Sequence, residues 1–174
     1  MSSQLPVSPT LCLIGAGNMG GAMLGGWLVA GHDPKLITVV DPNPPFQMVE
    51  LIEEYGVRHV TDPQMAMPAD VIIVAVKPQM METVLPGLAH LVNGSNVLVS
   101  VAAGTTIAKL GAPFAAASPR IIRAMPNTPA MVQRGITVCV PNTLVSEEQK
   151  ATVTELLKAI GEVEWVNDEL LWMP

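Results

Sequence analysis

The chain has 174 residues, 49% of them hydrophobic and 14% charged, with a net charge of −6 and a pI near 4.9. That length and apolar content suit one domain with a buried core and exclude a disordered chain. The acidic balance, with no Lys/Arg cluster, argues against binding a nucleic-acid backbone, which requires a basic patch.

Residues 1–9 carry neither a positive n-region nor an apolar h-region, so no signal peptide is visible. The first apolar stretch, Thr10-Leu11-Cys12-Leu13-Ile14, has strand length. It runs into Gly15-Ala16-Gly17-Asn18-Met19-Gly20, a G-x-G-x-x-G pattern, and residues 19–30 then read as an apolar helix. A second strand, Leu36-Ile37-Thr38-Val39-Val40, ends at Asp41, about twenty residues past the glycines. Strand, glycine turn, helix, strand and acid, in that order, form the dinucleotide-binding fingerprint. Gly15 allows a sharp turn out of the strand, Gly17 lets a pyrophosphate approach the backbone, and Gly20 lets the helix pack closely on the strand. Free N–H groups at the helix start and the helix dipole favour the negative charge. Without a ligand, the hexamer reads as a plain glycine-rich turn.

Asp41 has two readings. A carboxylate there accepts hydrogen bonds from a ribose diol and repels a 2′-phosphate, which favours NADH over NADPH. The other reading is a turn-initiating aspartate in Asp41-Pro42. After the turn, residues 46–55 show helical spacing, with Phe46, Val49 and Ile52 on one side and Glu50, Glu53 and Glu54 on the other. Residues 57–60 form a short strand, residues 62–68 a short helix or loop, and residues 70–76 a strand buried on both faces. Pro78 opens a helix expected to run to about Leu91. Residues 96–101 form another buried strand, ending in Ala102-Ala103-Gly104, and Thr105 or Thr106 caps a short helix through Leu110. A short strand at Ile121-Ile122 precedes a predicted loop from Arg123 to Ala130. Residues 135–140 form a strand, Ser146 and Gln149 a capping box before a helix to Ile160, and residues 162–166 a last strand. Residues 167–174 resemble the start of a helix with nothing to pack on. The alternation predicts an α/β fold: a doubly wound, mostly parallel sheet of Rossmann type, with helices on both faces.

Ligands in such sheets bind outside the carboxyl ends of the strands. The loops there are residues 15–20, Asp41 to Asn43, Lys77-Pro78-Gln79 and Ala102-Ala103-Gly104. Lys77 contacts cofactor hydroxyls or phosphate, or is an ordinary solvated lysine. Asn127 and Thr128, between Pro126 and Pro129, either present an amide to a carboxamide or form a structural turn. Arg123 either caps a strand end or faces solvent. Cys12 and Cys139 lie in apolar strands and read as small buried hydrophobes in a reducing compartment. His32, His59 and His90 pair with no nucleophile or metal-ligand set. The longest apolar stretch, residues 22–30, is too short for a bilayer, so the cytosol is the default compartment and no membrane is expected as a partner.

Four motifs occur in order: Ile14-Gly15-Ala16-Gly17-Asn18-Met19-Gly20, Ala75-Val76-Lys77-Pro78, Ser100-Val101-Ala102-Ala103-Gly104, and Arg123-Ala124-Met125-Pro126-Asn127-Thr128-Pro129. Together they resemble pyrroline-5-carboxylate reductase, the last enzyme of proline biosynthesis, up to about Glu169. The resemblance implies hydride transfer from NADPH or NADH to the C=N carbon of L-1-pyrroline-5-carboxylate, giving L-proline, without a metal. It implies that the glycine loop, Ile14 to Gly20, holds the pyrophosphate and that Asp41 and Asn43 lie at the adenosine ribose. Ala75, Val76, Lys77 and Pro78, with Ala102, Ala103, Gly104 and Asn127, would surround the nicotinamide half.

The family usually accepts NADPH and often has a small polar residue where Asp41 stands. It also has an all-helical C-terminal domain that forms dimers and much of the substrate pocket, and that domain's Ser-Gly-Ser-Gly-Pro-Ala motif does not occur here. The expectation is therefore a cofactor-binding domain over residues 1–166, with residues 167–174 starting a linker to a missing dimerisation domain. Such a chain binds cofactor whether or not it turns over alone; the full-length family member is expected to be a homo-oligomer. The catalytic proton donor is not assigned. The rival readings are a dehydrogenase of the β-hydroxyacid or 6-phosphogluconate type and a non-catalytic dinucleotide sensor.

Overall fold

The computed structural model describes residues 8–127 and 135–172. Thr128, Pro129 and Ala130 of the predicted proline loop, and Met173, lie outside them. The strands are β1 (Leu11–Ile14), β2 (Ile37–Val40), β3 (Arg58–Val60), β4 (Val71–Val74), β5 (Val97–Ser100), β6 (Arg120–Pro126), β7 (Gly135–Pro141) and β8 (Gly161–Trp165). They form one sheet in the order β3-β2-β1-β4-β5-β6-β7-β8. The order reverses between β1 and β4, which places a switch point at the end of β1. β1, β2, β4 and β5 are short runs of apolar and β-branched residues, nearly all buried, as a strand covered on both faces requires.

The helices are α1 (Asn18–Val29), α2 (Phe46–Tyr55), α3 (Met81–Val84), α4 (Ile107–Gly111) and α5 (Glu147–Leu157). Met23, Leu24 and Trp27 of α1, Ile52 of α2 and Val153, Leu156 and Leu157 of α5 pack on one sheet face. Met81 of α3, Leu85, Leu88, Leu110 of α4 and Phe114 cover the other. The Trp27 Nε1–H donates to the Leu156 carbonyl at 2.9 Å, pinning α1 to α5. At Gly26 an added Cβ would come within 2.6 Å of the Ala159 methyl, so this close helix contact requires glycine. The predicted capping box is present: Ser146 Oγ accepts from the Gln149 N–H at 3.1 Å, and Gln149 Oε1 accepts from the Ser146 N–H at 3.1 Å.

Two expectations need correction. The helix predicted from Pro78 to about Leu91 is broken into a 3₁₀ turn (Pro78–Met80), one turn of α3 and a second 3₁₀ segment (Leu85–Leu88). Pro86 has no N–H to donate and Gly87 stabilises helix poorly, so a continuous helix cannot form. The loop predicted from Arg123 is strand as far as Pro126, paired along its length with β7. That pairing is antiparallel, so β7 and β8 run against the other six strands.

Candidate dinucleotide site

β1, β2, β4 and β5 end at one level: Ile14 is paired with Val40 and with Val74, and Val74 with Ser100. The loops that follow therefore emerge along one edge of the sheet. The ladder continues for one residue beyond each strand, with Gly15 N–H donating to the Val40 carbonyl (2.9 Å), Ala75 N–H to Ile14 (2.8 Å) and Val101 N–H to Val74 (3.1 Å). Parallel pairing thus fixes the backbone at the bases of three predicted loops.

The three fingerprint glycines meet different demands. Gly15 has φ +95°, and a Cβ there would lie 2.9 Å from the Ala75 carbonyl oxygen. At Gly20 a Cβ would overlap the Gly15 carbonyl oxygen and sit 3.3 Å from the Ala75 methyl. At Gly17 a Cβ would meet nothing within 4 Å. Gly17 and Asn18 are exposed, while Ala16 is fully buried. The fold itself requires glycine at 15 and 20 and leaves open space above 17. The first intrahelical bond of α1 runs from Gly21 N–H to the Gly17 carbonyl at 2.7 Å. No side chain caps α1 and no acid occupies its first turn. Its leading N–H groups and the positive end of its dipole therefore face the open space over Gly17.

Asp41 joins this loop directly. Its Oδ2 accepts from the Ala16 N–H at 2.8 Å, and its Oδ1 accepts from the Asn43 N–H at 2.8 Å. The His59 Nε2–H donates to the Asp41 carbonyl at 2.8 Å. The turn reading of Asp41 thus holds: the side chain closes its own Asx turn, and it also braces the glycine loop.

Ala75 packs against Gly15 and Gly20. Ile14 and Ala102 are buried, Val76 is half-buried, and Lys77, Pro78, Ala103 and Gly104 are exposed. Gly104 has φ +78°, a left-handed turn position. Asn127 stands apart. Four residues past Arg123, which pairs with Ser100 at the common strand end, it rides about 13 Å above that level on the extension of β6. Its Oδ1 accepts from the Ile136 N–H at 3.0 Å. The structure thus brings residues 14–20, Asp41, Asn43 and Ala75 into contact, while no hydrogen bond links Asn127 to that group among the described residues.

Arg123 neither caps a strand end nor faces solvent. It is 3% exposed and its Nη1 pairs with Glu169 Oε1 at 2.6 Å. The same Oε1 accepts the Ile107 N–H at the start of α4, at 2.9 Å. Residues 167–172, read from sequence as having nothing to pack on, are thus held to β6 and α4 through one carboxylate. Their short 3₁₀ turn spans Glu169–Trp172. Sequence reasoning missed this pair because its members stand 46 residues apart.

Burial pushes the Cys12 thiol up to about 11 and the Cys139 thiol to about 12, from an ordinary 9.0, and neither is in a disulfide. Burial also lowers the His32 pKa, against the upward pull of its hydrogen bond to the Pro9 carbonyl (3.1 Å) and of Asp33. No group of three His, Cys, Asp or Glu able to hold a metal occurs among the described residues, and none of their helices is long and apolar enough to cross a membrane. An open cleft of about 670 Å³ lies elsewhere, where Gly135 and Gly161 start β7 and β8, and contains none of the predicted site residues.

Residues 10–104, which carry the glycine loop, Asp41 and the loops after β4 and β5, match the family model described as NADP oxidoreductase, coenzyme F420-dependent. The pyrroline-5-carboxylate reductase of Escherichia coli strain K12 is 39% identical over 160 residues, covering 91% of this chain and 59% of that protein. The solved pyrroline-5-carboxylate reductase of Coxiella burnetii superposes with a TM-score of 0.85 at 31% identity, over 94% of this chain and 60% of that one. The Plasmodium falciparum pyrroline carboxylate reductase, solved with NADP bound, shares the fold with a TM-score of 0.77 at 23% identity, over 94% of this chain and 59% of that one. The chain therefore spans about three-fifths of the length of the relatives it matches. Motif order, strand order and sequence agree: the chain belongs to the family described as NADP oxidoreductase, coenzyme F420-dependent, and over nine-tenths of its length it is similar to pyrroline-5-carboxylate reductases.

Proposed function

We propose that this chain is the cofactor-binding part of a pyrroline-5-carboxylate reductase. The observation that carries the reading is the open space over Gly17, facing the uncapped start of α1 and flanked by two glycines that the fold itself demands. Those residues fit a pyrophosphate, and Asp41 and Asn43 lie where an adenosine ribose would continue from it. The bound NAD(P)H supplies the hydride for the C=N carbon of the imine. The chain's own contribution is to bind and orient: the loop at residues 14–20 holds the phosphates by the leading N–H groups of α1, since the N–H groups of Gly15 and Ala16 are already donated to Val40 and Asp41, and the loops at residues 75–78 and 102–104 flank the nicotinamide half. Asn127 offers its side-chain amide from the β6 extension, with its Oδ1 already held by Ile136. A protonated imine is electrophilic already, so positioning accounts for more of the rate than an acid–base triad. The identity to the reductases favours this reading over a β-hydroxyacid dehydrogenase. A helical dimerisation domain following residue 166, homo-oligomer formation and a cytosolic location belong to the same proposal.

The test joins this chain to the C-terminal part of the Escherichia coli reductase and follows NAD(P)H oxidation with pyrroline-5-carboxylate. Turnover that Gly17→Trp abolishes supports the reading. Cofactor binding without turnover for pyrroline-5-carboxylate would instead leave a dinucleotide-sensing module.

A further inference from the structure

We propose that Glu169 is a positioning residue for the nicotinamide side of the dinucleotide site, acting through Arg123 and the start of α4 without touching the cofactor. The inference rests on the site proposed above and says what holds one half of it in place. Two groups far away in sequence meet at its carboxylate. Glu169 Oε1 accepts from Arg123 Nη1 at 2.6 Å and from the Ile107 N–H at 2.9 Å.

Each partner stands at the root of a segment proposed to flank the nicotinamide. Ile107 is the first residue of α4, directly after residues 102–106. That loop is fixed at its other end by the Val101 N–H on the Val74 carbonyl (3.1 Å) and the Ala102 N–H on Ser100 Oγ (3.2 Å). Residues 102–104 therefore hang between the end of β5 and Glu169. Arg123 is the last residue of β6 paired with β5; beyond it the strand pairs only with β7, up to Pro126. Glu169 thus grips β6 at the point where it leaves the main sheet and carries Asn127 outward.

The grip has little slack. Side-chain exposure is 4% for Arg123 and 20% for Glu169, so water competes weakly with a short, charge-assisted bond. Glu169 is itself presented by a fixed turn. The Val166 N–H donates to the Cys139 carbonyl, extending the ladder beyond β8, and the Leu170 N–H donates to Asp168 Oδ1, both at 2.9 Å.

The adenosine side has a separate support. Asp41 braces the glycine loop, and the Glu169 and Arg123 side chains hydrogen-bond to none of residues 14–20, Asp41 or Asn43 among the described residues. Release of the Glu169 tie should therefore loosen one half of the site and leave the other, which a general loss of stability would not do.

Calorimetric titration of the whole chain reads the two halves separately. The ligands are NADH and NADPH, each beside its counterpart without the nicotinamide ring, ADP-ribose and 2′-phospho-ADP-ribose. The proteins are the wild type, Glu169→Gln and Arg123→Met, and the quantity is the ratio of affinities with and without the ring for the tighter pair. Both variants should lower that ratio about threefold or more, with affinity for the ring-less counterpart within about twofold of wild type. Urea unfolding reports which proteins are folded, and Arg123→Met, the milder change to the fold, carries the test if Glu169→Gln does not fold. An unchanged ratio in a folded variant, whether both ligands weaken together or neither does, would overturn the inference and leave the dinucleotide site standing. A wild type that binds both members of a pair alike would overturn it too, because the ring side would then contribute nothing to loosen. A wild type that binds no member of either pair would remove the site and the inference together.

Discussion

The three fingerprint glycines separate into two kinds, and substitution tells them apart. Gly15→Ala meets both a left-handed φ and the Ala75 carbonyl, and Gly20→Ala meets the Gly15 carbonyl. Each should cost about 1–3 kcal/mol or more, as a lowered urea midpoint. Gly17→Ala has ordinary φ and open space, so its cost should stay below about 1 kcal/mol while dinucleotide affinity falls. A Gly17→Ala variant that unfolds as readily as Gly15→Ala would contradict this division. The buried thiols make a second residue-scale prediction. Cys12 and Cys139 should resist a thiol-specific reagent in the native protein and react once urea unfolds it. Their folded pKa values, about 11 and 12, lie above the ordinary 9.0. The native state therefore holds these protons more tightly, and stability falls as pH rises past about 9. A Cys12→Ala/Cys139→Ala double variant should lose part of that slope, read as the urea midpoint against pH.

At the scale of elements, Glu169 ties residues 169–172 to β6 and to the first N–H of α4. The partners differ in burial, with side-chain exposure of 4% for Arg123 and 20% for Glu169. Removing the acid strands a buried guanidinium whose Nε already lacks a partner, whereas removing the cation leaves a carboxylate that keeps the Ile107 N–H and some solvent. Glu169→Gln should therefore cost about 2 kcal/mol or more, and Arg123→Met clearly less, by urea denaturation. Equal losses would mean that the contact adds little beyond packing. The sequence shows α1, α2 and α5 well because each has a boundary signal: the glycine turn, the proline turn ending at Pro45, or the Ser146 capping box. It also holds a signal against one long helix after β4. Pro86-Gly87 forbids an unbroken helix from Pro78. The antiparallel pairing was not legible: with the strand ending at Ile122, as the sequence reads, twelve residues intervene before residue 135, and only the extension of β6 to Pro126 cuts this to eight, too few for a parallel crossover.

For the whole molecule, the parallel registers that join β1, β2, β4 and β5 bring their loops to a single edge, and the order reverses where the glycines stand. That convergence was legible in outline, because continuous apolar runs bounded by glycines and prolines specify buried parallel strands. The brace from Asp41 to Ala16 and the Arg123–Glu169 pair were not. Both depend on side-chain geometry between residues far apart in the chain, 25 and 46 positions respectively, which no local pattern encodes. The central claim is that the space over Gly17 holds the pyrophosphate of a nicotinamide dinucleotide. Calorimetric titration of the chain and of Gly17→Trp with NADH and NADPH tests it directly. The account predicts saturable binding by the wild type and loss of that binding in a variant that still unfolds cooperatively with a near-native urea midpoint. Undiminished binding by a folded Gly17→Trp would contradict it, because the dinucleotide would then sit elsewhere on the molecule.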